Sequence, residues 1–210
     1  MEKSLFIKIC GITKAEDALA AVRAGADAVG FIAYPRSPRY ISAEKVAEII
    51  AMLDGEVRKV GVFVNASPSE ISAYLGAGID TIQLHGDESA EFAEKCRNSA
   101  EVWKAVRPVS ETDIMEFLDF PADKILVDAF HKTRYGGTGR TVNRELAKFA
   151  VDSLPRPVLI AGGISPANCG EIAAYTMPFG LDVNSGVESE PGVKNHAEIA
   201  KLFKLIRGGK

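Results

Sequence analysis

The chain has 210 residues, 47% of them hydrophobic and 25% charged, with a net charge of −3. This excludes extended disorder, and the length allows a full core without disulfides or structural metals. A mildly acidic balance offers no global field to nucleic acid or anionic membrane, so any anionic ligand must be held by local groups. The three cysteines, Cys10, Cys96 and Cys169, form no Cys-x-x-Cys pair, which suits a reducing compartment and argues against a disulfide framework or zinc site. The first apolar run stops at Lys8, too short for a signal-peptide core or a bilayer span, so a cytoplasmic location is expected.

Short, Val/Ile-rich runs alternate with amphipathic segments. The first run covers residues 5–10, and Thr13-Lys-Ala-Glu16 then reads as a capping box for a helix stopped by Gly25. Run 27–33 leads to a helix opened by Ser42 and followed by Gly55. Run 59–64 precedes Ser67-Pro68-Ser69-Glu70, which combines an N-cap, a first-turn proline and an N3 glutamate. Runs 81–84 and 102–106 are followed by helices expected to open at Asp87 and Ser110. Run 124–128 leads to a helix from Asn143, run 157–161 to one opened by Ser165-Pro166, and run 179–183 to a last helix from about Lys194 to Gly208. Eight strand–helix units, with strand starts roughly 20–33 residues apart, fit parallel strands with helical crossovers. The expected fold is α/β, a closed (β/α)8 TIM barrel forming one catalytic domain over residues 1–210. An open doubly wound sheet would instead favour fewer strands and a glycine-rich first turn, whereas the first turn here is Cys10-Gly-Ile-Thr13.

Barrel chemistry sits at the C-terminal strand ends. Alternation puts Lys8 with Cys10, Gln83 with His85, and Asp182 with Asn184 on one face, taken as barrel-lining. Glycine-rich stretches at 135–140, 161–164 and 184–188 fall on the last loops, where main-chain N–H groups can cradle phosphate. A lone strand cysteine is ordinarily a small buried hydrophobe. Cys10 differs because it ends a strand with Lys8 two residues back, and a neighbouring cation is expected to favour its thiolate as base or nucleophile. Asp128, which ends the sixth run, reads either as a loop cap or arginine partner, or as a general acid in a dry pocket. His85 either lines the pocket or hydrogen-bonds within the rim, and Trp103 reads as core or rim packing.

The motifs Lys8-Ile-Cys-Gly-Ile-Thr13, Gly25-Ala-Asp-Ala-Val-Gly-Phe31, Ser37-Pro-Arg-Tyr-Ile41, Gln83-Leu-His-Gly86, Gly136-Gly-Thr-Gly139, Ala161-Gly-Gly-Ile164 and Asp182-Val-Asn-Ser-Gly-Val-Glu188 occur in one order along nearly the whole chain. In these the chain resembles the phosphoribosylanthranilate isomerases. The resemblance implies an Amadori rearrangement of N-(5-phosphoribosyl)anthranilate to 1-(2-carboxyphenylamino)-1-deoxyribulose 5-phosphate in tryptophan biosynthesis. It implies Asp128 as general acid and Cys10 as general base. Arg39 would meet the anthranilate carboxylate, and main-chain groups around Gly139, Gly162, Gly163, Ser185 and Gly186 would hold the phosphate. Asp182 joins this substrate-binding set, with Lys8, Gln83 and His85 as further site candidates. No metal or cofactor is implied. The expected partner is the phosphorylated small molecule, with no nucleic acid or membrane, and the chain is expected to be a monomer or homodimer. The chain departs from the family at Arg140-Thr-Val-Asn-Arg144, where Phe-Asp-Trp is usual, and residues 129–135, with His131 and Arg134, read as a lid. Cys10 at the first strand end argues against the lysine and glutamate chemistry of indole-glycerol-phosphate synthase and the paired aspartates of the histidine-pathway isomerase. A non-catalytic phospholigand binder would need neither Cys10 nor Asp128.

Overall fold

The computed structural model describes residues 5–53, 55, 57–129 and 143–208. Eight parallel strands close into a barrel: β1 (Phe6–Ile9), β2 (Ala28–Ile32), β3 (Arg58–Phe63), β4 (Thr81–Leu84), β5 (Glu101–Val106), β6 (Lys124–Val127), β7 (Val158–Ile160) and β8 (Gly180–Val183). Each lies within a residue or two of its expected run. Closure pairs β1 with β8, with Lys8 opposite Asp182.

Strand alternation divides the apolar residues into two cores. Ile7, Ile9, Val29, Phe31, Leu84, Leu181 and Val183 face outward into the helix layer. Cys10, Ala28, Val60, Val62, Trp103, Ala105, Leu126, Leu159 and Ala161 fill the interior. The N-terminal end of the barrel is stopped by Phe6, stacked on Phe179 at 5.2 Å and edge-on to Trp103 at 6.0 Å. Beneath them Glu101 accepts Trp103 Nε1–H at 2.7 Å and pairs with Lys124 and Arg58. Trp103 is therefore a core residue.

The outer helices are α1 (Ala15–Ala24), α2 (Ala43–Ile50), α3 (Pro68–Gly76), α4 (Ala90–Arg97), α5 (Glu111–Met115), α6 (Arg144–Ser153), α7 (Cys169–Thr176) and α8 (His196–Arg207). Ser42, Ser67, Ser110 and Asn143 cap theirs as expected, Ser67 and Ser110 in full capping boxes. Three starts differ from expectation. Thr13 does not cap α1, because its hydroxyl donates to Gly192 O at 2.5 Å and helix geometry begins after Lys14. Asp87 does not cap α4; Ser89 does, accepting from Phe92 N–H at 3.2 Å, while Asp87 N–H is held by Asn65 Oδ1 at 2.8 Å. Ser165-Pro166 opens a turn, and α7 begins at Cys169 after Asn168. Between β8 and α8 the chain adds a 3-10 turn (Ser185–Val187) and a small antiparallel hairpin, β9 (Glu188–Glu190) with β10 (Val193–Lys194). The sequence pattern did not indicate this hairpin, and it shapes the barrel mouth.

Candidate active site

Cys10, Lys8 and Asp182 form one cluster at the β1–β8 seam. Cys10 is buried, and its N–H donates to Val183 O at 2.8 Å, which fixes the strand end. Lys8 is fully buried and donates to Asp182 Oδ1 at 2.9 Å. Gly30 on β2 makes room: a Cβ there would lie 2.8 Å from Cys10 Sγ and 3.1 Å from Lys8 Nζ. Burial alone would push the Lys8 ammonium down, but Asp182 and Cys10 hold it above its ordinary value. For Cys10, burial wins: it raises the thiol above the ordinary range, Asp182 adds to this, and Lys8 and Lys194 oppose without reversing it. The expectation that Lys8 would favour the thiolate is therefore corrected. Asp182 neutralises much of the Lys8 charge, and the low-dielectric site disfavours the anion.

Asp128 follows β6 on the face of the interior residue Leu126 and is buried. Its Oδ1 accepts Ala129 N–H at 2.8 Å, and its Oδ2 lies 3.3 Å from His85 Nε2. Gln83 Nε2 meets His85 Nδ1 at 3.0 Å. His85 thus stands beside Asp128 and hydrogen-bonds to Gln83. Gln83 Oε1 and His85 Nε2 are buried without a hydrogen-bond partner among the described residues. Lys104, donating to Gly86 O and Glu88 Oε2 at 2.8 Å each, anchors the loop after His85.

Arg39 is buried and forks onto Glu188: Nε donates to Oε1 at 2.9 Å and Nη2 to Oε2 at 2.7 Å. Glu188 Oε1 also accepts Lys194 Nζ at 2.9 Å and Gly192 N–H at 3.2 Å. Burial alone would raise the Glu188 carboxyl, but Arg39 and Lys194 hold it below the usual range. Nothing in the sequence pattern marks Glu188 or Lys194 as site residues: Glu188 ends the Asp182–Glu188 stretch, and Lys194 falls at the expected start of the last helix.

Gly162, Gly163 and Gly186 lie on the loops after β7 and β8. Gly162 and Gly163 have φ of 86° and 64°, which turns successive amides in a way side-chain-bearing residues resist. A Cβ at Gly162 would also lie 2.8 Å from Ala129 N and 3.1 Å from Asp128 Oδ1. Gly186 abuts the preceding loop so closely that its Cβ would stand 1.9 Å from Ile164 O. Ser185 and Gly186 are half-buried at the start of the 3-10 turn. Gly139 and residues 130–142, which include most of the expected lid, lie outside the described residues. Among the described residues, no three His, Cys, Asp or Glu side chains converge as a metal ion requires.

A family model described as N-(5'-phosphoribosyl)anthranilate (PRA) isomerase matches residues 7–205. The chain belongs to this family. The N-(5'-phosphoribosyl)anthranilate isomerase of Aquifex aeolicus is 43% identical over 202 residues, covering 96% of this chain and 98% of that protein. That of Geotalea uraniireducens is 42% identical over 203 residues, with the same coverage. Among solved structures, the phosphoribosyl anthranilate isomerase of Thermus thermophilus superposes with a TM-score of 0.89 at 37% identity, covering 97% of this chain and 98% of that one. Another phosphoribosyl anthranilate isomerase structure, TM-score 0.86 at 37% identity and covering 98% of this chain and all of that one, is a complex with reduced 1-(o-carboxyphenylamino)-1-deoxyribulose 5-phosphate. In this isomerase family member, Cys10, Asp128, Gly162, Gly163 and Gly186 all follow the C-terminal ends of barrel strands.

Proposed function

We propose that residues 1–210 act as one catalytic barrel domain, a monomer or homodimer in the cytoplasm. It carries out the Amadori rearrangement of N-(5-phosphoribosyl)anthranilate in tryptophan biosynthesis. The observation that carries this reading is two buried ionisable side chains, Cys10 after β1 and Asp128 after β6, at the same C-terminal strand ends as Gly162, Gly163 and Gly186.

Asp128 gives its proton to the ribose ring oxygen. The C1′–O bond breaks, and the nitrogen lone pair closes a Schiff base. Cys10, as thiolate, removes the C2′ proton. The C–H electron pair becomes the C1′–C2′ double bond, and the imine electrons return to nitrogen, giving an enolamine that tautomerises to the ketone. Acid and base contribute about 10²–10⁴-fold each. Main-chain amides around Gly139, Gly162, Gly163, Ser185 and Gly186 hold the phosphate, and Arg39 faces the carboxylate. Fixing both ends positions the sugar between the two groups. Asp182, paired with Lys8, joins the substrate-binding set, and His85, hydrogen-bonded to Gln83, lies beside Asp128 as a further site candidate.

Cys10→Ala and Asp128→Asn should each lower kcat at least about a hundredfold while the reduced product analogue still binds. Near-normal turnover in either variant removes that residue from its role. Binding without turnover in the unaltered protein would favour a phospholigand binder.

A further inference from the structure

Gln83 places an uncharged amide in an apolar part of the barrel interior. It lies on β4 in register with Val62 of β3 and Trp103 of β5, both interior residues, and it is fully buried. A primary amide in such surroundings costs free energy unless its hydrogen bonds are made. Here the amide nitrogen meets His85 Nδ1 at 3.0 Å, while Oε1 has no partner among the described residues. A leucine would pack this position without that cost, so the contact with His85 is what the amide's presence has to explain.

That contact decides the state of the imidazole. An amide nitrogen only donates, so Nδ1 must accept, and a neutral imidazole then carries its proton on Nε2. Nε2 lies 3.3 Å from Asp128 Oδ2 but makes no hydrogen bond there. The backbone beneath the ring is fixed: His85 N–H donates to Phe63 O at 2.7 Å, and Lys104 Nζ holds the next carbonyl, Gly86 O, at 2.8 Å. Asp128 already receives Ala129 N–H on Oδ1 at 2.8 Å. The proposed acid thus has one donor engaged on one oxygen and a second, unengaged, beside the other. A donor that is slack at rest and tightens as the carboxylate charge appears favours the transition state over the ground state.

We propose that Gln83 is a positioning residue: by donating to Nδ1 it holds His85 in the Nε2–H form, and this N–H stabilises the Asp128 carboxylate left when the acid gives its proton to the ribose ring oxygen. This rests on the function proposed above and assigns Gln83 a part in it. The proton passes from Asp128 to the ring oxygen, and His85 neither gains nor loses one.

The test joins NMR spectra of the imidazole nitrogens with a double-mutant cycle. The chain has three histidines, and His85→Asn assigns the His85 signals by difference. In the unaltered protein without ligand, Nε2 should carry the proton and Nδ1 should show as the acceptor. Gln83→Met has similar volume but no donor, so it should mix the two tautomers and lower kcat about tenfold, in line with a weakened hydrogen bond to a charged group. KM and the affinity for reduced 1-(o-carboxyphenylamino)-1-deoxyribulose 5-phosphate should stay within about twofold. His85→Asn should lower kcat at least as much. Because Gln83 acts through His85, the double variant should be no slower than His85→Asn alone. A merely structural Gln83 would leave the tautomer as it was and lower kcat again in the His85→Asn background. Should Gln83→Met fail to fold, the spectrum of the unaltered protein and the turnover of His85→Asn decide. With Asp128→Asn inactive, three results overturn this inference alone: a proton on Nδ1 or on both nitrogens, kcat within about twofold of normal in either single variant, or additive losses in the cycle. Near-normal turnover in Asp128→Asn overturns the proposed acid and with it the proposed function.

Discussion

Replacing Gly186 with alanine tests whether the last two loops form one phosphate cradle. The new Cβ would lie 1.9 Å from Ile164 O, 2.8 Å from Ile164 C and 2.8 Å from Ser165 Cβ. The nearest obstacle is main chain, so no rotamer change relieves it. Carbon–oxygen contacts ordinarily begin near about 3.3 Å, so the loops must part by about 1.4 Å. The loop after β7 resists this, because Ser165 N–H is held by Asn168 Oδ1 at 2.8 Å and Asn168 Nδ2 holds Gly163 O at 2.9 Å. Overpacking of this kind costs about 1–3 kcal/mol, and a misplacement of about 1 Å at a site costs about a hundredfold in rate. Urea unfolding should show that loss of stability. Steady-state kinetics should show kcat/KM lowered about a hundredfold, and inorganic phosphate should become a weaker competitive inhibitor. Gly170 in α7, where a Cβ meets nothing within 4 Å, is the control. Gly170→Ala should stabilise by about 0.5–1 kcal/mol. Unchanged stability and phosphate inhibition in Gly186→Ala would refute the cradle.

Three further outcomes follow from the geometry. Because burial raises the Cys10 thiol and only its deprotonated form can accept the C2′ proton, kcat/KM should climb with pH from about 7 past about 8.5, where an ordinary thiol levels off; a plateau below that point contradicts the assignment. Asp182→Asn leaves the fully buried Lys8 ammonium without its anion and should cost about 3–5 kcal/mol in urea unfolding at neutral pH, and a loss under about 1 kcal/mol would show that the pair does not matter. Glu101→Gln loosens the hub joining Trp103, Lys124 and Arg58 at the far end of the barrel, so it should lower Tm yet leave kcat within about twofold, and a large fall in kcat would show that the two ends are coupled.

The barrel was legible because its determinants are local. Each strand is a short β-branched run, and Ser42, Ser67 and Ser110 cap helices with their own nearby amides. Cys10 and Asp128 stand out as candidates because reactive side chains at the ends of apolar strands break the pattern. What failed was non-local. Thr13 and Glu16 have capping-box spacing, but the Thr13 hydroxyl is claimed by Gly192, 179 positions away. The Lys8 charge adjacent to Cys10 was visible, but Asp182, which offsets it, comes 174 positions later. Glu188 and Lys194 flank a polar Ser189-Glu-Pro-Gly192 segment that reads as an ordinary turn. Their contacts appear only once the hairpin sets Glu188 between Arg39 and Lys194.

The pairing of Lys8 with Asp182 sits on the seam where the first strand meets the last. A nascent chain cannot satisfy its most deeply sequestered ammonium until the eighth strand has left the ribosome and docked. Fragments that end between β6 and β8 carry both Cys10 and Asp128 but no closed barrel, so recovered turnover in a split or circularly permuted version would serve as a direct gauge of ring completion.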